Sequence, residues 1–368
     1  MAPHNDRAVE VATKLQRLRA QMAAREVDAV VLSQLPNIAW LTAGASTYIN
    51  LASDTGPSSL LVTLDSASII TDQIEAGRLE QEESLAALGF RLAVEPWDQR
   101  GTQLPGRLAG KRLAQDGPGE GINVSSELQA LRTNLLPEEV ERLHHVGSLA
   151  SAAIAEVMYA IQPGMTEFAI AGLLAQASLI RGGHAVVNLV ASDERIARYR
   201  HPLPTSKVVE RYVMVVLCLR HQGLVAAVTR LVHFGALPEE LAAKAQAVAR
   251  VDARMILGTR AGKTMGEMYA LADHAYHEEG YPTATEEHHQ GGSIAYLPRE
   301  ILARPNETAV LARHQAFAWN PSVRGAKSED TIILGPSGPI VITHTPDWPM
   351  APITIDGQTI QRPAVLER

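Results

Sequence analysis

Cysteine is almost absent from this sequence. Cys218 is the only one in 368 residues, which excludes an internal disulfide framework and any zinc site built on several thiolates. No run of about 18 apolar residues occurs, the length a bilayer-spanning helix requires, and the N-terminal MAPHNDRAVEVATK lacks the apolar stretch of a secretory leader. A cytoplasmic protein is expected. Concentrated basic charge is missing too: the formal net charge is −7, and without a Lys- and Arg-rich face nucleic acid is not expected as a partner, nor, without an apolar span, is a membrane. Lysine is scarce, since Arg fills 27 of the 33 cationic positions, a bias that suits a GC-rich coding genome. No internal period of 20 to 50 residues is present, so solenoids and propellers are out. A local absence matters most. The stretch VVLCLRHQGLVAAVTRLVHFG, residues 215–235, has two apolar runs around a turn at Gly223 and not one Asp or Glu.

What is present is an ordinary globular composition, 46% hydrophobic, long enough for two domains. Residues 8–26 carry Leu15, Leu18 and Met22 at helical spacing and run into VDAVVLS, a helix feeding a buried strand. SSLLVTLDSASIITD reads as a hairpin and ALGFRLAVEPW as another strand, so this half is α/β. The Gly-rich stretch from Leu104 to Ile122 supplies turns at a domain edge, and the boundary is placed at Asn134, giving domains 1–134 and 135–368. Beyond it, LPEEVERLHHVGSLASAAIAEVMYAI is one long helix, with Pro137 and acids in the first turn and Pro163-Gly164 as the stop. MTEFAIAGLLAQASLIRGG is a second. Strand-like segments follow at 184–190, 212–219 and 224–233, then helices at 238–256 and 265–279, then segments at 285–297, 308–319 and 330–343. The fold class is α/β, of the α+β kind.

Seven elements in order, RLRAQMAAREVDAVVLSQLPNIAWLTA, LRTNLLPEEVERL, IQPGMTEFAIAGLL, GLVAAVTR, HHQGGSIAYLPRE, WNPSV and SEDTIIL, resemble the creatinase, prolidase and aminopeptidase P family over nearly the whole chain. The resemblance implies a small α/β creatinase-like N-terminal domain and a C-terminal pita-bread domain. The metallopeptidases of that family hold two metal ions on two aspartates, a histidine and two glutamates. Matched residue by residue, the first aspartate falls on Val216, the aspartate of Asp-x-Thr-Arg on Ala227, the histidine on Gly292 and the glutamate of Glu-Pro on Asn320. Only Glu329 survives. One carboxylate among Val, Ala and Gly cannot hold a dication pair. Three acids have left together with the ions they would neutralise, which is the mark of a rebuilt pocket more than of simple decay. Neither metal nor cofactor is therefore expected.

Within that frame His201, in RYRHPLP, stands where creatinase, a metal-free relative, carries its acid/base histidine, and a neutral imidazole could take a proton from water and return it to a leaving nitrogen; otherwise it is a loop histidine capping a turn. Glu329 could orient water or bind an ammonium, against an ordinary salt bridge to Lys327 or Arg324. Of the cluster Glu286, Glu287, His288 and His289, only one histidine can face the pocket if the segment is extended, and His288 is favoured because aminopeptidase P has a second histidine there. Cys218 shares strand parity with Val216, so both line the pocket or neither does; it is a candidate nucleophile with His201 or an inert core thiol. Arg230 and Arg299 are structural or substrate-binding, and the amide of Asn320 could meet an oxyanion. Val216, Ala227 and Gly292 complete the expected substrate lining.

Three functions are compatible with these residues. The leading one is a metal-independent hydrolase of an amide or amidine C–N bond in a small molecule, suited to specialised-metabolite or antibiotic tailoring. The others are a metallopeptidase with relocated ligands and a non-catalytic ligand-binding relative. Creatinase-like proteins pair so that one chain reaches the pocket of the other. The resemblance thus implies a homodimer, with Tyr48, Asn50 and Asp54 as contributors.

Overall fold

The computed structural model describes residues 4–368, and the chain divides into two compact units, Met1–Glu138 and Glu139–Arg368. In the first unit the order is α1 (His4–Ala24), β1 (Ala29–Gln34), α2 (Leu35–Leu41), β2 (Thr55–Thr63), β3 (Ala67–Asp72), α3 (Gln73–Gln81), β4 (Arg91–Glu95), α4 (Leu104–Leu108), β5 (Leu113–Gln115), β6 (Ile122–Asn123) and α5 (Ser125–Thr133). Its strands make one mixed sheet, β4-β3-β2-β1-β5-β6. Leu15, Leu18 and Met22, one stripe of α1, are buried as their spacing requires. The hairpin read from SSLLVTLDSASIITD is the antiparallel β2-β3 pair. Helix α5 was not anticipated from the sequence.

The remaining elements are α6 (Pro137–Ala160), α7 (Glu167–Ile180), β7 (His184–Ser192), α8 (Glu194–Arg198), β8 (Tyr212–His221), β9 (Leu224–His233), α9 (Glu239–Gly258), α10 (Met265–Glu278) and α11 (Ala284–Glu287). They are followed by β10 (Gly291–Ile294), β11 (Ala316–Trp319), β12 (Ser322–Val323), β13 (Ala326–Lys327), β14 (Asp330–Gly335), β15 (Gly338–Val341), β16 (Met350–Ile355), β17 (Gln358–Pro363) and β18 (Leu366–Glu367). Caps fix the helix starts: the Thr166 hydroxyl accepts from the Ala169 amide, and Thr264 with Glu267 forms a reciprocal capping box. Two four-stranded sheets, β18-β9-β8-β7 and β10-β11-β14-β15, form this α+β unit. They join where Thr229 of β9 bridges Glu329 and where the Thr331 hydroxyl bonds the amide and carbonyl of Ala227. The apolar stretch 215–235 thus lies at a seam between sheets, buried on both faces, which is why it reads as continuous apolar sequence. The terminal hairpin β16-β17 lies beyond the last segment anticipated from sequence.

Among the described residues, no helix is long and apolar enough to cross a membrane.

Candidate active site

Three segments bring the polar residues together. The first is the loop after α8 that carries His201. Glu167, at the start of α7 and fully buried, accepts hydrogen bonds from the Ser192 amide and hydroxyl, from the Thr205 amide and hydroxyl, and from Arg195. Asp193 accepts from the amides of Glu210, Arg211 and Tyr212. Two acids therefore pin the loop at both ends.

The second segment follows α11. The Tyr276 hydroxyl donates to Gln290 Oε1, and the Gln290 amide donates to the His288 carbonyl, which fixes the backbone of the histidine pair. His288 Nε2 lies 3.1 Å from His201 Nε2. His289 is stacked on His288 with ring centroids 4.3 Å apart, and its own ring is 5.8 Å from that of His201. The expectation that only one of the two histidines could face the pocket is corrected here. It assumed a regular strand, and the chain bends at His288, with residues 288–290 outside any strand, so the alternation of faces does not hold.

The third segment is the turn and strand that carry Lys327 and Glu329. Glu329 is buried, and both of its oxygens are engaged. Oε1 accepts from Arg299 at 2.6 Å, and Oε2 accepts from the Thr229 hydroxyl at 2.7 Å and from Lys327 at 3.0 Å. Burial would raise its pKa, but Lys327, Arg299 and the Thr229 hydrogen bond together hold it down to about 2. Both oxygens are held by protein donors, which is the arrangement of the salt-bridge alternative. The salt bridge to Lys327 is present, and Arg299 takes the second oxygen. Arg324 instead pairs with Glu287 at the rim, which it shares with Arg200.

The same cations act on the histidines. His201 is shifted below its ordinary value by burial and by Lys327; His289 falls to about 4, by burial and Arg299 first; and His288 falls to about 2, by burial first and Lys327 second. All three are neutral imidazoles near neutral pH. Cys218 is buried and its thiol is pushed up to about 12 by burial and the Glu329 charge, so it is a protonated core thiol with no nucleophilic character.

Other expected lining residues sit differently. Val216 packs with Leu189, Met214, Leu231 and Val365 in an apolar cluster, and Ala227 is fully buried with both backbone groups bonded to Thr331, so each is core and neither lines an open pocket. Arg230 is also corrected. On β9 it follows Thr229 and so points to the opposite face, where it is bonded to Asp330 at 2.9 Å, the Thr345 hydroxyl and the Thr343 carbonyl, with no route to a substrate. Asn320 continues the β11-β14 register one step past Trp319↔Asp330, which sets it opposite Glu329. Tyr48, Asn50 and Asp54 lie between α2 and β2 of the first unit, with Asn50 and Asp54 exposed.

Gly292 shows how far the site has been rebuilt. A Cβ there would lie 2.0 Å from the Ile301 carbonyl oxygen, because the 300–303 segment runs along β10 through the Ser293–Ile301 and Ala303–Gly291 backbone bonds. Gly291, at φ +98°, would place a Cβ 2.1 Å from the Ala318 oxygen. No side chain, a histidine included, fits at 292 without moving that backbone. The positions matched to the family's ligands therefore do not fit two ions: Val216 and Ala227 offer no donor atom, Gly292 cannot carry one, and Asn320 adds one neutral amide to Glu329. The Lys327 salt bridge is one of the alternatives read from sequence; missed at that level are Arg299 in its role beside Glu329, and His289, which the sequence reading sets aside in favour of His288.

Buried polar atoms without a partner gather here: His288 Nδ1, Arg299 Nε, Asn320 Oδ1 and Ser322 Oγ. Orphan groups of this kind call for a ligand or ordered water.

Comparison with known proteins agrees with the architecture. The profile of metallopeptidase family M24 matches residues 141–338, and that of the creatinase/prolidase N-terminal domain matches residues 14–137. The uncharacterized peptidase YqhT of Bacillus subtilis (strain 168) is 21% identical over 354 residues, covering 90% of this chain and 98% of its own. Among solved structures, the Xaa-Pro dipeptidase from Bacillus anthracis superposes with a TM-score of 0.78 at 21% identity over 97% of this chain and 100% of its own. The prolidase from Pyrococcus horikoshii OT3 gives 0.77 at 19% identity, over 90% and 98%. With both domain profiles matched in order and the creatinase-like and pita-bread units in place, the chain belongs to metallopeptidase family M24.

Proposed function

We propose that this chain hydrolyses a C–N bond, of the amide or amidine class, in a small molecule, and does so without metal ions at the family's site. The observation that carries this reading is the His201–His288 contact at 3.1 Å beside a Glu329 already held by two cations. In this reading His201 donates its Nε2 proton to His288 Nε2, which leaves Nδ1 as the base. Nδ1 takes a proton from water as the oxygen bonds to the substrate carbon. It returns that proton to the nitrogen as the C–N bond breaks. His288, kept neutral by burial and Lys327, serves as the acceptor that orients the imidazolium. Asn320 Oδ1 receives an N–H of the scissile group, and Glu329 acts through the side chains it holds. The named relatives are a dipeptidase and a prolidase, so Xaa-Pro dipeptides belong in the first panel of substrates beside small amides and amidines.

A second reading has one observation in its favour. His201, His288 and His289 each offer a ring nitrogen within 4.8 Å of the others, which is a donor set for a single ion. Lys327 and Arg299 stand against a dication there by like-charge repulsion, and the Gly291 amide donates to His289 Nδ1, fixing the proton of the neutral ring on Nε2. The deciding experiment is turnover of the panel with and without EDTA. Hydrolysis that survives chelation supports the metal-free reading. Hydrolysis lost on chelation and restored by one ion per chain supports the three-histidine centre.

A further inference from the structure

The loss of the family's ligands removed negative charge, and the pocket that replaced them carries an excess of the opposite sign. Around Glu329 one carboxylate is shared by two cations, Lys327 and Arg299. At the mouth, Glu287 is likewise shared by Arg200 and Arg324, with the exposed Glu286 the next acid along α11. The chain as a whole is at −7, so these clusters run against its average.

Lys327 is the sharper anomaly. Its side chain is 5% exposed and has Glu329 as its partner. An ammonium has three N–H donors. Arg299 is in a similar state: one terminal nitrogen serves Glu329, another the Pro298 carbonyl, and its buried Nε has no partner. Ammonium and guanidinium donors left unmade in a buried site are costly unless something else receives them. Burial is the first cause of the depressed pKa values of His201, His288 and His289, and Lys327, joined by Arg299 for His201 and His289, lowers them further.

We infer that Lys327 and Arg299 form a site for an anionic oxygen, built where the family's dications would supply positive charge, with Glu329 as the internal carboxylate that competes with the incoming anion for their donors. The inference rests on the hydrolase reading for its chemistry: when water adds to the substrate carbon, the C=O electron pair moves onto oxygen, and Lys327 Nζ–H meets that oxyanion until the pair returns and expels the nitrogen. A carboxylate carried by the substrate is the other source of the same chemistry.

Two arms test it, both on the full chain. The first needs no turnover. Inorganic phosphate is titrated calorimetrically into wild type and into Lys327→Met, Lys327→Arg and Glu329→Gln, each checked by thermal melting. Wild type should bind in the millimolar range, Lys327→Met should weaken binding at least about tenfold, and Lys327→Arg should stay within about threefold. Glu329→Gln, by removing the competing carboxylate, should tighten binding. A purely structural lysine predicts no dependence of phosphate binding on position 327 or on Glu329→Gln, and no selectivity between Met and Arg. The site is refuted if folded Lys327→Met binds phosphate like wild type, or if wild type shows no binding.

The second arm is kinetic and separates the sources. A fall in kcat of about 10²-fold or more for Lys327→Met at little-changed KM identifies the oxyanion, while a raised KM at preserved kcat identifies a substrate carboxylate. If no amide or amidine is hydrolysed but phosphate behaves as described, the hydrolase reading fails and the anion site stands. If hydrolysis is found and phosphate affinity ignores position 327, the anion site fails and the hydrolase reading stands.

Discussion

Glu329 and Asp330 are neighbours in sequence and face opposite ways, and the two ionic clusters they anchor are built on different plans. On the far side, Asp330 and Asp252 meet Arg230 and Arg362, two charges against two, with Asp330 held by both guanidiniums at 2.9 and 2.7 Å and Arg362 reaching Asp252 at 2.5 Å. Thr345, Thr343, Thr229 and Ser328 add further bonds to the guanidiniums. On the near side, Glu329 faces two cations alone, orphan atoms surround it, and the half-exposed loop of His201 opens the cluster outward. A charge-balanced network, in which Asp252 Oδ1 is the one buried unpartnered side-chain atom of the four charged residues, ties β9, α9, β14 and β17 together. An unbalanced and open one is arranged to receive something.

If that contrast is right, the two sides respond differently to the same kind of substitution. The largest effect is on the far side. Arg230→Met leaves Asp330 short of a buried partner and should lower unfolding free energy by about 3–5 kcal/mol, read by urea denaturation. Lys327→Met on the near side should cost much less in the same measurement, because it leaves Glu329 and Arg299 as a one-to-one pair, whereas Arg230→Met leaves Asp330 and Asp252 sharing the single guanidinium of Arg362. Equal losses would erase the distinction.

Next in size is His201. His201→Ala should lower kcat by at least about 10²-fold on a verified substrate with an unchanged melting temperature. If His201→Ala matches wild type, the near cluster is not the catalytic one.

The pH dependence is a smaller effect. The base form of His201 is the neutral one and its folded pKa lies below the ordinary 6.5, so the acid limb of kcat/KM should lie below pH 6.5. The same sign applies to stability. His288 and His289 take up protons in the unfolded chain at a pH where the folded chain refuses them, so stability is complete above pH 6.5 and falls as the pH drops toward 4. Glu329, at about 2 folded against an ordinary 4.5, keeps its full contribution above about pH 4.5 and loses it progressively as the pH falls to about 2. Urea midpoints at pH 7.5, 6 and 5 read the trend, and a flat profile would mean that the histidines are not held neutral.

The smallest effect is expected at Cys218, whose thiol sits at about 12. Cys218→Ser should change kcat by less than about tenfold.

Much of the fold was legible because its signals are local: the Leu15, Leu18 and Met22 stripe, the Pro163-Gly164 stop and the Thr166 cap each act within one element. The site was legible only in part. His201 and His288 follow from order along the chain, and the stacked His289 does not, since the bend at 288 breaks the alternation on which parity depends. Strand parity carries two further signals. Lys327 and Glu329 are two apart in an extended segment, so they share a face, and Arg230 is one residue past Thr229, so it cannot. The clash that forbids a side chain at 292 depends on the distant Ile301 carbonyl, a contact no local pattern announces.

The exchange of metal ions for fixed organic cations is tested most directly by elemental analysis of the purified protein, paired with turnover before and after EDTA. No stoichiometric Mn, Zn, Co or Fe and unchanged turnover are expected, because Val216, Ala227 and Gly292 supply no ligand and Lys327 with Arg299 already neutralise Glu329. Two ions per chain, or one ion lost on His288→Ala, removed by EDTA together with activity, would contradict it.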